Sequence, residues 1–191
     1  MRELDELTFA ACRRGDPRAF RRLVEAFQGP VVALCRALAG ADGEDLAQDT
    51  FVRVHAALPA FDPSGPASLR GWILTIARRL CTDRARHTGR GIEVMIPPPD
   101  LADEAPRPDE QIEQARLRAR VWRALATLPP DQRAVLALFE WEGLPYEEIA
   151  AIEDVPVGTV RSRLARARAA LKTALATPAG AHAKEVAHGS H

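Results

Sequence analysis

Between Thr88 and Asp109 the chain passes through Gly89, Gly91, the triplet Pro97-Pro98-Pro99, Pro106 and Pro108, set among acidic side chains. Proline has no amide proton to give a helix, and a stretch this rich in proline, glycine and acid can neither continue a helix nor bury a core. It therefore divides the chain. On its two sides apolar residues recur at spacings of three and four, as Leu69, Trp72, Ile73, Ile76 and Leu80 and as Val160, Leu164, Ala167, Leu171 and Leu175. Those spacings put each set on one helical face, and no comparable stretch alternates with period two. The expectation is an all-α protein of two small helical domains joined by a Pro-rich acidic linker. Residues 1–88 form the first domain, 89–113 the linker, 114–176 the second domain and 177–191 a disordered tail.

In the first half, helices are predicted over residues 5–14, 17–39, 43–58 and 68–87. Asp16-Pro17 supplies a capping carboxylate followed by a first-turn proline, and Asp42-Gly43-Glu44-Asp45 puts acids at the positive end of the third helix. Residues 59–67, Pro-Ala-Phe-Asp-Pro-Ser-Gly-Pro-Ala, read as a loop. In the second half a helix is predicted from Arg116 to Leu128, stopped by Pro129-Pro130, with Asp131 capping the next.

Acids and bases balance at 26 each, and 47% of the 191 residues are hydrophobic, an ordinary composition for a folded domain. No apolar run approaches the roughly 18 to 20 residues that cross a bilayer, so no membrane insertion is expected. The start, Met1-Arg-Glu-Leu-Asp-Glu-Leu, lacks the apolar stretch of a secretory signal, which predicts a cytoplasmic location. Cys12, Cys35 and Cys81 are too scattered for a disulfide framework or a zinc site and read as small buried hydrophobes. His182, His188 and His191 lie in the Gly-Ala-Pro tail and read as part of a disordered end. There is no P-loop, no dinucleotide turn, no H-E-x-x-H and no nucleophile-base pair, so the chain is expected to be no enzyme and to need no cofactor or metal.

The charge pattern becomes informative between residues 139 and 172. Residues 139–154 carry Glu140, Glu142, Glu147, Glu148, Glu153 and Asp154 with no base, whereas residues 156–172 carry Arg161, Arg163, Arg166, Arg168 and Lys172 with no acid. The segment Leu144 to Leu164 reads as a short helix, a turn at Asp154-Val155 and a second helix from near Pro156. That is the helix-turn-helix arrangement, whose second helix enters the DNA major groove. At about 100° per residue, Val160, Leu164 and Leu171 turn inward and Ser162, Ala165, Arg166 and Ala169 face the groove. Arg161 and Arg163 lie on the flanks, where phosphates are met, and Arg166 is the candidate for a guanine, whose two acceptors match a guanidinium fork.

Several segments together resemble a known family. Arg14-Gly-Asp-Pro-Arg-Ala-Phe with Leu23-Val-Glu, Glu44-Asp-Leu-Ala-Gln-Asp-Thr-Phe-Val-Arg-Val and Leu69-Arg-Gly-Trp-Ile-Leu-Thr-Ile-Ala-Arg resemble region two of bacterial sigma factors of the extracytoplasmic-function (ECF) type. Leu128-Pro-Pro-Asp-Gln-Arg-Ala-Val-Leu and Pro156-Val-Gly-Thr-Val-Arg-Ser-Arg-Leu-Ala-Arg-Ala-Arg resemble region four. The resemblance implies a specificity subunit that binds core RNA polymerase at clamp and flap, reads −35 promoter DNA and melts the −10 element, and is held by an anti-sigma factor. It further implies that Asp45, Gln48 and Asp49, which share a helix face, dock on the polymerase clamp. Phe61 and Ser68 would then belong to the loop that captures a flipped −10 base, with Arg70 and Trp72 beside it. Arg78, Arg79, Arg84 and Arg86 would meet phosphates, and Arg161, Ser162, Arg163 and Arg166 would meet the −35 element. Phe61 has a second reading as a core plug, and Trp72 falls within the apolar stripe. Two positions depart from the family pattern: Arg79 stands where Asn is frequent, and Asp154 where Gly is frequent in the turn. The alternatives are a stand-alone helix-turn-helix regulator and a protein-binding adaptor.

Overall fold

A computed structural model describes residues 4–65, 67–88 and 108–176. Among them every regular element is helical. The first half contains α1 (Glu6–Arg13), α2 (Pro17–Ala39), α3 (Gly43–Ala57) and α4 (Leu69–Thr88), with single 3-10 turns at Gly40–Asp42 and Leu58–Ala60. The second contains α5 (Pro108–Ala126), α6 (Pro130–Glu140), α7 (Tyr146–Glu153) and α8 (Val157–Ala176).

The local chemistry explains most boundaries. The Asp16 carboxylate accepts the amides of Arg18 at 2.8 Å and Ala19 at 3.2 Å, satisfying two of the donors left open at the start of α2. These bonds hold its pKa below the ordinary range for Asp. Gly40, at φ 58°, ends α2 in a conformation that side chains resist. Gly43 then permits the tight entry into α3, because a Cβ there would stand 2.7 Å from the Arg36 backbone. Two expectations are corrected. The fifth helix starts at Pro108 rather than Arg116, where a proline needing no amide partner leads into Asp109 and Glu110. Asp131 makes no capping bond at the start of α6 and spends its carboxylate on Arg78 and Arg163 instead. Residues 89–107, which hold most of the expected linker, and the tail 177–191 lie outside the described residues.

The apolar face of α2, made by Leu23, Phe27, Val31, Leu34 and Leu38, is buried against α3 and α4. By length and hydropathy the stretch Pro17–Ala60 would suffice to cross a membrane, but this face belongs to the protein core. Cys12, Cys35 and Cys81 are buried, as their reading as hydrophobes requires. The Cys35 and Cys81 thiols meet between α2 and α4, and that contact together with burial pushes the Cys35 thiol far above its usual range. In the second half Val135 and Leu138 of α6, Ile149 of α7, and Val160 and Leu164 of α8 form the packed centre.

The two halves do not have separate interiors. Their buried residues form one continuous cluster, with α6 packed on α2 and α7 packed on α4. At the seam lies Arg133, only 3% exposed. Its guanidinium donates to Ala37 O at 2.9 Å, Leu128 O at 2.8 Å and Ala126 O at 3.3 Å. Ala37 is in the last turn of α2 and Ala126 ends α5, so one side chain satisfies carbonyls left open where helices from both halves stop. Burial depresses the Arg133 pKa. Removing it in Arg133→Ala strips the donors from these carbonyls. Unsatisfied buried groups cost about 1–3 kcal/mol each, so urea unfolding should show a loss of roughly 3 kcal/mol. A loss under about 1 kcal/mol would mean that water replaces the guanidinium.

Candidate nucleic-acid interface

Three surfaces carry the residues singled out in the sequence. The first is on α3. Leu46, Ala47, Thr50 and Val54 turn into the core, which leaves Asp45, Gln48 and Asp49 exposed together on the opposite side. Val52 belongs to the same strip, since 45, 48, 49 and 52 follow one helix face, and it is 68% exposed. An exposed branched apolar residue among carboxylates makes an amphipathic strip. Val52 is not among the residues that the sequence pattern singles out, because a lone valine carries no signal of exposure.

The second surface is α4 and the loop before it. Ser68 accepts the Gly71 amide through Oγ at 3.0 Å and so caps α4. Asp62 accepts from the amide and hydroxyl of Ser64 at 2.9 and 2.7 Å, folding the loop on itself. Phe61 is 7% exposed; its ring meets Phe9 edge-on at 5.9 Å and Trp72 at 4.8 Å. Of its two readings, the core plug describes this arrangement, and neither face of the ring is open to a base. Arg79 and Arg86 are exposed, while Arg84 reaches Asp42 at 3.1 Å.

The third surface is α8. Asp154 takes the left-handed conformation, φ 53° and ψ 50°, and its turn joins α7 to α8 as the helix-turn-helix pattern requires. Val160, Leu164 and Ala167 are buried; Ala165, Arg166 and Ala169 are exposed on the far side, with Ser162 partly so. Arg166 donates to the Ser162 carbonyl and hydroxyl at 3.3 and 3.2 Å and has no ion-pair partner among the described residues. Its charge is therefore available. Arg161 lies 5.7 Å from the Tyr146 ring, and Arg168 pairs with Glu140 at 2.7 Å.

Two of the expected phosphate-binding arginines stand elsewhere. Arg78 is 13% exposed and bonds to Glu153 through Nε at 2.6 Å and Nη2 at 3.1 Å, with Asp131 at 3.2 Å. Burial alone would lower its pKa, but the Glu153 carboxylate, with Asp131, more than offsets this and holds it above the ordinary value. Arg163 closes the cluster, 2.9 Å from Asp131 and 3.5 Å from Glu153. One buried carboxylate thus joins an arginine of α4 to one of α8. Arg70 pairs with Glu142, and Ser68 donates to Glu148. These pairs are separated by 72 to 80 positions in the chain, which is why spacing could not reveal them.

A helix-turn-helix whose second helix turns a cation outward, opposite a buried stripe, has the form of a DNA-binding module, and it is packed on a second helical half. The Sigma-70 region 2 family matches residues 23–91, and the Sigma-70 region 4 family matches residues 118–171. The ECF RNA polymerase sigma-E factor of Escherichia coli K12 is 34% identical over 182 residues, covering 87% of this chain and 92% of the relative. SigE, an ECF RNA polymerase sigma factor of Mycolicibacterium smegmatis, is 38% identical over 152 residues, covering 78% of this chain and 56% of that protein. Among solved structures, CnrH in complex with the cytosolic domain of CnrY superposes with a TM-score of 0.65 at 27% identity, covering 91% of this chain and 98% of that one. The sigma factor RpoE in complex with the anti-sigma factor NepR from Bartonella quintana gives 0.65 at 26% identity, covering 83% and 97%. This chain belongs to the ECF RNA polymerase sigma factors. Matches across both halves leave no room for a stand-alone helix-turn-helix regulator with an unrelated first half.

The turn supplies a direct check of the local geometry. A left-handed residue other than glycine costs roughly 1–2 kcal/mol, least for Asp and Asn. Asp154→Gly should leave thermal stability unchanged or slightly raised, and Asp154→Val should lower it by about 1–3 kcal/mol. Equal melting temperatures for the two variants would contradict the assigned conformation.

Proposed function

We propose that this sigma factor binds core RNA polymerase through the α3 strip, reads −35 DNA through the outer face of α8 and engages −10 DNA through α4 and the loop before it. The observation that carries the reading is the exposed Arg166 opposite the buried Val160–Leu164 stripe, on the second helix of a helix-turn-helix. A guanidinium in the major groove matches the two acceptors of guanine, and each such pair is worth about 1–3 kcal/mol of discrimination. Ser162 stands one turn earlier on the same face, and Arg161 flanks it at the angle where phosphates lie.

The α3 strip suits a protein partner. Asp45, Asp49 and Gln48 offer carboxylate and amide groups to basic side chains of a polymerase clamp, and Val52 adds apolar area at the centre. Arg79, Arg84 and Arg86 lie further along α4, toward the upstream duplex, and act through phosphates. Trp72 and Phe61, packed together, support the base-capturing loop from beneath. The protein performs no bond chemistry of its own and works in the cytoplasm beside the polymerase. An anti-sigma factor as a further partner is supported by the similar structure of RpoE with NepR.

Two substitutions separate these roles. Asp49→Ala should weaken co-migration of the chain with core polymerase on a sizing column and leave promoter preference among the remaining transcripts unchanged; undiminished binding would remove α3 from the polymerase interface. Arg166→Ala should relax the requirement at one −35 position at a cost of about 1–3 kcal/mol. An equal loss on every −35 variant would show that Arg166 meets phosphate instead of a base.

A further inference from the structure

A basic corner where α1 meets α2 has no place in the roles described above. Between residues 13 and 22 five of ten side chains are arginine and one, Asp16, is acidic. Gly15, at φ 83°, turns the chain sharply there and brings the end of α1 up to the start of α2. Arg18, Arg21 and Arg22 lie together on the outer face of α2, opposite the buried Leu23 and Phe27, and Arg14 precedes them; all four are exposed. None of the four has an ion-pair partner among the described residues. The nearest acids are already engaged. Asp5, within electrostatic reach of Arg22, accepts the Thr8 amide and hydroxyl at 2.8 and 2.7 Å, and Asp16 caps α2. Glu25 stands one turn further along the same face and forms no ion pair with Arg21 or Arg22. The arrangement is costly in the free chain, because like charges three and four residues apart on a helix repel and cations in its first turns oppose the helix dipole. No acid stands in the first turn of α2 to offset them.

We propose that this corner is a track for DNA backbone, holding phosphates of the non-template strand just downstream of the −10 element once the strands are open. The proposal rests on the reading that the loop before α4 engages −10 DNA. Continuity with that loop carries it: Phe9 of α1 meets Phe61 edge-on at 5.9 Å, and Arg13 donates to the Pro59 carbonyl at 2.9 Å. The corner therefore adjoins the loop at the N-terminal end of α4, away from Arg84 and Arg86, which lie toward the upstream duplex. A strand that has passed the loop meets the arginines next. Exposed guanidiniums in a row suit successive phosphates, each fork matching two phosphate oxygens, and a polyanion relieves the repulsion that the free helix carries. Contacts of this kind read no sequence. Their effect is to prolong the life of the opened strands.

The test uses assembled holoenzyme and two non-template oligonucleotides from a promoter that it transcribes, one ending at the −10 element and one extended a few nucleotides downstream. Affinity is read by fluorescence anisotropy. For wild type the extension should tighten binding about tenfold. Arg18→Gln/Arg21→Gln/Arg22→Gln should lose most of that gain and bind the shorter strand as before. Its slope of log affinity against log salt on the longer strand should be shallower by about two, as expected for three lost single-strand phosphate contacts. A control on α5, Arg116→Gln/Arg120→Gln/Arg123→Gln, removes equal charge at exposed positions and should keep the gain. Because the substituted arginines of α2 repel one another, the variant should melt no lower than wild type; a clear fall would make them structural and overturn the proposal. An extension that adds nothing in wild type, or an equal loss in the control, would overturn it too. Weaker co-migration of the α2 variant with core polymerase would assign the corner to an acidic surface of the polymerase instead. The −10 reading is tested apart: wild type should prefer the shorter strand to a scrambled one, and no preference would remove that reading and the track with it.

Discussion

The closed arrangement depends on burying the Arg78 guanidinium and the Glu153 carboxylate against each other. Either charge alone at that depth would cost several kcal/mol, and their mutual attraction offsets this only with close geometry and further partners. Both conditions hold here: two bonds join the groups, Asp131 supports the arginine and Arg163 supports the carboxylate. Four elements, α4, α6, α7 and α8, therefore have their relative positions tied to one cluster. Arg133 does comparable work at the other end of the seam with carbonyls in place of carboxylates, and apolar packing of α6 on α2 fills the space between.

Polar connections of this kind differ from an apolar interface in how they respond to a partner. Buried hydrophobic area is lost to water when an interface opens, whereas an arginine released from a carboxylate can be taken up by a phosphate with little net change. The ion pairs at this seam stand beside a continuous apolar cluster shared by α2 and α6, so opening it exposes buried apolar area as well as charge. The α3 strip does not take part in the seam. Asp45, Gln48, Asp49 and Val52 remain exposed while the halves are packed together.

Much of the architecture was legible in the sequence because it follows from local rules. Helix periodicity marks α2, α4 and α8, the Asp16-Pro17 cap sets the start of α2, and the tolerance of Asp for the left-handed region explains the turn at Asp154. The wheel of α8 turned out as drawn, with Arg166 outward and Leu164 inward. What could not be read was anything set by contacts between distant positions. Arg78 looked like one more exposed cation on a basic edge, and its burial depends on Glu153, which is 75 positions away. Asp131 looked like a cap because capping is its commonest local use, yet two arginines brought by folding compete for it more strongly. Phe61 had two readings that composition could not separate, and the rings of Phe9 and Trp72 decide between them for this arrangement. The acidic run was visible as a pattern, but its partners Arg70, Ser68 and Arg78 lie too far away in the chain to be read from spacing.

The account stands on the free chain keeping its halves together. The most direct measurement is the distance between spin labels placed on the exposed faces of α3 and α8 in the otherwise intact protein, read by double electron–electron resonance. A single narrow distribution, which broadens or lengthens when core polymerase is added, is the predicted result. A broad distribution in the free protein, unchanged by polymerase, would show that the halves move independently and that the Arg78–Glu153 cluster does not hold them.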